Sequence, residues 1–533
     1  MSYYKDIHKY IAALEEKGKL VRIQNPINKD TELHPLVRLQ FRGLPEEERK
    51  AFLFEKVTDS RDRSYDIPVI VGALGASRQV YAIGMMCQPQ EIPEKWVQAL
   101  RYPIESVIVA DGPVQDIVHT GNTLLEHGGL DEFPIPISTP GYDVAPYFTS
   151  PYVVTKDPET RVRNVGTYRA QLKSPTRTGI FPSNPKQHVA IHWRKHRELG
   201  IPMEGAIIVG ASPNIGYVSV SSIPEGVDEF AVASAIAGEP LELVKCKTVN
   251  LEVPAHAEIV VEGIISTTEV EPEAPFGETL GYMGQREMVP YFTVTCITHR
   301  SKPIWQSFIS QLPPSESTVI KQIGRESTIY KYLRYDLNMT HVLAVANHAN
   351  NLSQRLIVIQ MKGAESTDIW RALESAADYL AAEGKIMVAV DEDINPWDAD
   401  AVNWAISYRC QPHRDFRIQK RTALNLMDYS IMPPGEGIRV DTRFEHMPEQ
   451  SRVLIDATMK WAYPPVSLPK REFMEEAIRL WEENGLPPLK LREPWWGRNL
   501  GYWSAEDEDQ AILATKGEYY KTGDILVSRR RSV

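Results

Sequence analysis

The sequence has few cysteines, no long apolar run and no excess of positive charge, and each shortage excludes something. Cys87, Cys246, Cys296 and Cys410 are its four cysteines, scattered over 533 residues without a C-x-x-C spacing. That argues against a cysteine-based zinc module and against a disulfide framework. No segment approaches the ~18 uninterrupted apolar residues of a membrane helix. The opening Met1-Ser2-Tyr3-Tyr4-Lys5-Asp6 lacks the charged-then-apolar pattern of a secretion signal. A cytoplasmic protein with no membrane partner is therefore expected. Asp and Glu outnumber Lys and Arg by 70 to 59, for a net charge of −11, which disfavours a nucleic-acid partner. The basic run Arg529-Arg530-Arg531 reads as a solvated tail.

What is present is a globular composition, 43% apolar and 24% charged, in a chain long enough for roughly three or four domains. Residues 1–130 read as a small α/β domain. Ile7, Tyr10, Ile11 and Leu14 recur at helical spacing and Gly18 stops that helix. Leu20 to Ile23 alternate as a strand, a second helix is capped near Asp30 or Thr31, and it ends by Gly43. Pro134, Pro136, Pro140 and Pro146 mark a boundary or draped connection. Residues 131–310 are strand-rich, with short runs at 152–155, 164–169, 206–209, 217–220, 243–249, 257–265 and 291–298. Such runs with Gly and Pro turns predict a barrel or sandwich; helices at about 185–199 and 227–238 interrupt it. Residues 311–490 alternate strand and helix (356–359, 368–382, 385–390, then from 399), which predicts a largely parallel sheet. An amphipathic helix follows at about 470–484. The tail, 491–533, carries Trp495, Trp496 and Trp503, aromatics expected to dock on their own domain or on a neighbouring subunit.

Three stretches could carry chemistry. Glu273-Ala274-Pro275-Phe276-Gly277-Glu278 holds two carboxylates five residues apart on a segment shaped by Pro and Gly. It is either an acidic surface loop or an acid/base pair in which one carboxyl stays ionised and the other is pushed towards the neutral acid. His188, His192 and His196 recur at i, i+4 and i+8 near one helical face, without the H-E-x-x-H protease pattern. One ligand and two packing histidines, completed by oxygens from Asn164 and Glu229, suit a hard divalent ion. Arg169 could tune a nearby Glu or anchor a substrate carboxylate, or be a surface ion pair. Gly72-Ala73-Leu74-Gly75-Ala76-Ser77 follows a strand-like run but lacks the full dinucleotide or P-loop pattern.

Taken in order, these motifs resemble the UbiD-type decarboxylases, which use prenylated FMN. The resemblance rests on Asn164-x-x-x-Tyr168-Arg169, Gln187-His188, Ser221-Ser222-Ile223-Pro224-Glu225-Gly226 with Glu229, Lys245-Cys246, and Glu273-x-Pro-Phe-Gly-Glu278-x-x-Gly-Tyr282. Ile455-Asp456-Ala457-Thr458 is also similar, and the likeness covers roughly residues 5–485. It implies a mixed α/β fold: an N-terminal α/β domain, a flavin-reductase-like split β-barrel and a C-terminal α/β domain for substrate and assembly. It implies Arg169, Glu273 and Glu278 as the catalytic network with Glu278 as proton donor. Asn164, His188 and Glu229 match ligands for Mn2+ or Mg2+. Thr167, Tyr168, Arg169, Gln187, Ser219 and Ser221 match cofactor-binding positions, the last two beside a potassium and phosphate site. The implied partners are a carboxylic acid and CO2, a flavin prenyltransferase that supplies the cofactor, and further copies of the chain in a dimer or hexamer. Two other readings remain open on the residues: a flavin-binding assembly module without catalysis, and a metal-dependent hydrolase built on His188 and His192.

Overall fold

Asp6 accepts the Lys9 amide and starts helix α1 (Ile7–Glu16), whose Ile7, Tyr10, Ile11 and Leu14 form one buried face. This computed structural model describes residues 2–180, 182, 187–221, 223–224, 226–348, 353–381, 384–420, 428–431 and 449–532. Ser222, Glu225 and parts of the helices expected at 185–199 and 368–382 lie outside the described residues. Gly18, at φ +66°, turns the chain into β1 (Leu20–Ile23). α2 (Leu33–Gly43) begins after Glu32, two or three residues beyond the expected cap. Asp30 is committed elsewhere: its carboxylate accepts from Lys29 and from the Ser60 amide. β2 (Ala51–Phe54) lies parallel to β1 and β3 (Val69–Val71) antiparallel to β2. Helices α3 (Arg78–Met85) and α4 (Ile92–Arg101) follow, then β4 (Ile117–Thr120).

Among the described residues, the strand-rich centre is a curled, wholly antiparallel sheet of nine strands. In chain order these are β4, β5 (Tyr147–Phe148), β6 (Tyr152–Lys156), β7 (Arg163–Thr167), β8 (Ala170–Ser174), β9 (Arg177–Gly179), β10 (Met203–Val209), β11 (Ile259–Glu273) and β12 (Glu287–His299). The spatial order is β7-β6-β10-β11-β12-β9-β8-β5, with β4 also on β12. α5 (His188–Leu199), α6 (Pro213–Val220) and α7 (Glu229–Ala237) are inserted along it. One face closes a core with α1, α3, α4, α6 and α7, and the other a core with α2 and α5 that holds Trp193, Phe292 and Trp305. Full burial of a side chain such as Phe292 contributes about 1.5–3 kcal/mol. Tyr217 to Val220, expected as a strand, is instead the end of α6. Seven of the eight residues of α6 are buried, so its apolar run has no polar face to betray the helical period, and Pro213 at the first turn is the better signal. β13 (Trp305–Ser307) then leaves the barrel and joins the N-terminal sheet parallel to β3, giving the order β1-β2-β3-β13.

α8 (Glu316–Lys331) opens the C-terminal part. Its sheet runs β14 (Val342–His348), β15 (Ser353–Met361), β16 (Ile386–Asp391), β18 (Ser451–Asp456), β17 (Phe416–Lys420). The inner pairs are parallel and the two outer pairs antiparallel, so the expected parallel centre carries antiparallel edges. α9 (Ser366–Leu380) and α10 (Ala399–Arg409) cover it. Glu316 ties α8 to the N-terminal sheet, because its buried carboxylate accepts the amides of Gly72, Leu74 and Ile309. The glycine turn after β3 thus cradles a carboxyl group, and that group belongs to the same chain. The helix Arg471–Glu483 is amphipathic yet has no buried residue. Just before the tail Lys490 pairs with Glu47, and at its start Arg492 pairs with Asp400, both exposed pairs.

Candidate active site

β11 ends at Glu273, where Ala274-Pro275 follows and Pro275 has no amide hydrogen to continue a ladder. The segment that returns to β12 is a closed hairpin: Glu278 N donates to Tyr282 O (2.9 Å), Gly281 N to Glu278 O (3.1 Å) and Gly284 N to Phe276 O (2.7 Å). Gly281, at φ +97°, makes the turn. Gly277 serves close approach, since a Cβ there would stand 2.7 Å from Thr139 Oγ1. The two carboxylates therefore differ in setting: Glu273 is a strand terminus with no exposed surface, and Glu278 lies on the hairpin, half-buried.

Arg169 joins them. β7 stops at Thr167, and the Tyr168-Arg169 corner leads into β8, so the strand alternation that includes Asn164 does not extend to Arg169. Its Nε donates to Glu273 Oε1 at 2.7 Å, its Nη1 pairs with Glu278 Oε1, and its guanidinium lies over the Phe276 ring at 5.4 Å. Burial pushes the Glu273 carboxyl up, and Arg169 pulls it back only in part. Glu273 Oε2 is buried and has no hydrogen-bond partner among the described residues. Glu287, the cross-strand partner of Glu273, is also pushed up by burial with Arg169 opposing. The acidic surface-loop reading is thereby excluded for Glu273.

Of the expected metal ligands, His188 and Glu229 meet, and Asn164 adjoins the residue whose amide Glu229 accepts. Asn164 lies on β7, while His188 and Glu229 are the first residues of α5 and α7. Glu229 Oε2 accepts the Val165 amide (3.0 Å), and its Oε1 stands 3.6 Å from His188 Nδ1. Asn164 Nδ2 donates to the Tyr168 hydroxyl (3.3 Å), so the amide oxygen is the atom offered to a ligand. A carboxylate oxygen, an amide oxygen and an imidazole fit Mn2+ or Mg2+. Burial raises Glu229, a cost that a cation would offset. Thr167 and Ser219 share a hydroxyl contact of 2.9 Å, and Ser221 caps α6. Gln187 immediately precedes α5. His192 and His196 turn elsewhere: His192 Nδ1 bonds Thr155 Oγ1 (2.9 Å) and His196 Nδ1 bonds the His192 carbonyl (2.8 Å). The paired-histidine hydrolase reading finds no support in that geometry.

Three segments account for most of the chain. Residues 11–100 match the N-terminal domain of the 3-octaprenyl-4-hydroxybenzoate carboxy-lyase family, 107–313 its Rift-related domain and 318–457 its C-terminal domain. The chain belongs to the UbiD family. An uncharacterized protein of Archaeoglobus fulgidus is 31% identical over 476 residues, 86% of this chain and 92% of its own. Among solved structures, the UbiD-class enzyme HmfF from Pelotomaculum thermopropionicum, an evolved dimeric form in complex with prFMN, superposes with a TM-score of 0.75 at 30% identity. That match covers 89% of this chain and 100% of the other. Vanillic acid decarboxylase from Sedimentibacter hydroxybenzoicus shares the fold, with a TM-score of 0.74 at 24% identity over 91% of this chain and 100% of the other.

Within this UbiD-family site lie four further side chains that the sequence reading missed. Tyr147 OH donates to the Ala274 carbonyl (2.7 Å), and its ring lies tilted against Phe276 at 4.7 Å, fixing the start of the hairpin. Asp143 is pushed up to about 6 by burial. Tyr429, from the C-terminal part, donates to the Met283 carbonyl (2.9 Å). Lys321 on α8 lies 3.5 Å from Thr279 Oγ1, next to Glu278. Burial pushes its ammonium down to about 7, with the positive charges of Arg325 and Arg355 adding to the effect. Only the i, i+4 spacing of Lys321 and Arg325 on one helix hinted at a cationic face.

Proposed function

We propose that this chain catalyses the reversible, non-oxidative decarboxylation of an aromatic, heteroaromatic or α,β-unsaturated carboxylic acid with prenylated FMN. The reading is carried by the Arg169–Glu273–Glu278 network: a buried guanidinium between one fully buried carboxyl and one that is partly accessible. Asn164, His188 and Glu229 would hold Mn2+ or Mg2+, and Thr167, Tyr168, Gln187, Ser219 and Ser221 would line the flavin, with K+ beside the two serines. When bound, the modified flavin supplies the electron sink for the charge left as CO2 departs. The chain's own residues supply position and the proton. Arg169 holds the substrate carboxylate and the ionised form of Glu278. Glu278, as the neutral acid, delivers its proton to the carbon that has lost CO2, and the resulting carboxylate is stabilised by Arg169. Glu273 fixes the Arg169 guanidinium from the opposite side. Lys321 adds positive charge that favours an anionic substrate.

In this reading residues 131–310 bind the cofactor and 311–490 the substrate and the dimer or hexamer contacts, in a cytoplasmic enzyme supplied by a flavin prenyltransferase. The test is co-expression with such a prenyltransferase, then CO2 release from a panel of aromatic and acrylic acids, repeated with Glu278→Gln. The variant is expected to keep its cofactor absorbance and lose about 10²–10⁴-fold in turnover. Undiminished turnover would remove Glu278 from the role given to it.

A further inference from the structure

The His119, Glu132 and His299 side chains converge at the end of β12, the opposite end of that strand from Glu287. His119 sits on β4 and His299 is the last residue of β12; β4 pairs antiparallel along the end of β12, with Ile297 opposite His119. Glu132 ends the short helical turn Gly129–Glu132. The two imidazoles are buried and Glu132 half-buried. His119 Nε2 and His299 Nε2 are 3.4 Å apart; Glu132 Oε2 is 3.7 Å from His119 Nε2, and Glu132 Oε1 is 4.0 Å from His299 Nε2.

These spacings are too wide for direct hydrogen bonds between the carboxylate and either ring. The 3.4 Å between the two Nε2 atoms matches the edge of a metal tetrahedron, for which ligands about 2.0–2.1 Å from zinc stand ~3.3–3.4 Å from one another, and the carboxylate oxygens, at 3.7 and 4.0 Å, stand just beyond it. The tautomer agrees. His299 Nδ1 lies 2.7 Å from the Arg300 carbonyl, an oxygen that can only accept. Nδ1 therefore carries the hydrogen, and the Nε2 lone pair faces His119 and Glu132. Metal-bound histidines are oriented in this way by a carbonyl behind the ring. The Phe133 ring meets His299 edge-on at 5.8 Å and further fixes it.

We propose that His119, Glu132 and His299 form a second metal site, whose two-nitrogen, one-carboxylate donor set suits zinc. A water completes the tetrahedron. The ion fastens β4 and the 129–132 turn to the end of β12. The chain between β4 and the turn, which includes His127 with its ring 4.9 Å from that of His119, is closed into a loop by the same ion.

The test uses the full-length holoenzyme, loaded with excess Zn2+ and then desalted, with zinc and manganese measured by mass spectrometry. Wild type is expected to retain zinc at about one ion per chain and to melt at a higher temperature with zinc than without. Glu132→Gln is the decisive variant, because it keeps the shape of the side chain and removes its charge. It is expected to lose the zinc and the zinc-dependent rise in melting temperature, with manganese content and cofactor absorbance unchanged. His119→Gln is expected to behave in the same way. Zinc retention equal in wild type and Glu132→Gln, or no retention in wild type, overturns the proposal.

Discussion

Gly179→Ala probes the catalytic network without touching any of its charges. Gly179 ends β9 against β12, and a Cβ built there would lie 2.6 Å from Glu273 Oε2. Contacts of that kind are ordinary only beyond 3.4 Å, so the carboxylate must retreat by about 0.4–0.8 Å to relieve the overlap. It has little freedom to do so: Glu273 has no exposed surface, and its other oxygen is bonded to Arg169 at 2.7 Å. The displacement passes to the guanidinium and from there to Glu278. Since a misplacement of about 1 Å costs ~10²-fold, kcat is expected to fall roughly 10- to 100-fold. The packing strain itself costs about 1–3 kcal/mol, too little to unfold the chain. The assay is steady-state CO2 release from the best acid of the panel, with cofactor absorbance and melting temperature measured on the same preparation. Gly43→Ala is the control, because Gly43 ends α2 with nothing within 4 Å of the added Cβ. An unchanged kcat in a fully loaded Gly179→Ala enzyme would refute the idea that the placement of Glu273 governs turnover.

Three other outcomes follow from the same geometry. Lys321, with its ammonium pushed down to about 7 by burial, is charged below that pH and neutral above it, so KM for the acid should rise as pH passes upward through 7. Lys321→Met should show the higher KM at every pH, and a pH-independent wild-type KM would sink the role given to this lysine. Glu316 is pushed from 4.5 up to about 7 by burial, so between these values the folded state holds its proton more tightly than the unfolded chain, and this contribution to stability falls as pH rises through the window. Glu316→Gln should lose that dependence and about 1–3 kcal/mol, because its NH2 would face the amides of Gly72, Leu74 and Ile309; denaturant melts across pH decide it. Arg409 is buried between Asp391 (2.7 Å) and Asp393 (2.6 Å), so Arg409→Met should cost about 3–5 kcal/mol by stranding two carboxylates. Adding Asp391→Asn and Asp393→Asn should recover most of the loss in a thermal melt.

The local signals in the sequence read well. α1, with its four buried apolar residues at helical spacing, and β15, α9 and β16 in the C-terminal part stand within a few residues of their expected places. Two kinds of feature did not read. Where an element is buried all round, as α6 is, the apolar pattern carries no period, and Ser219 was placed on a strand when it belongs to a helix. Where a group is satisfied from far along the chain, no window contains the evidence. Glu316 answers the Gly72 turn across 244 residues, and His119 faces His299 across 180. Arg169 lies between these cases: its type was legible, but its direction depends on a corner after Thr167 that strand alternation cannot foresee. The carboxylates of the 273–278 segment were legible as a pair, while their division into a dry strand end and a half-buried hairpin came only from packing.

The return of β13 to the N-terminal sheet has a consequence for how the polypeptide is made. Val69 to Val71 leave the ribosome more than two hundred residues before Trp305 to Ser307, the strand that must lie beside them. At ~5–20 residues per second, β3 waits roughly 10–50 s with one edge unpaired. The Gly72 turn waits equally long for the carboxylate of Glu316. The first domain to be synthesised is therefore among the last to be completed, and the barrel must form while that edge is open. An exposed edge of this kind is where a nascent chain associates with its neighbours. Truncations that end before Trp305 are expected to aggregate even though they contain the whole N-terminal segment.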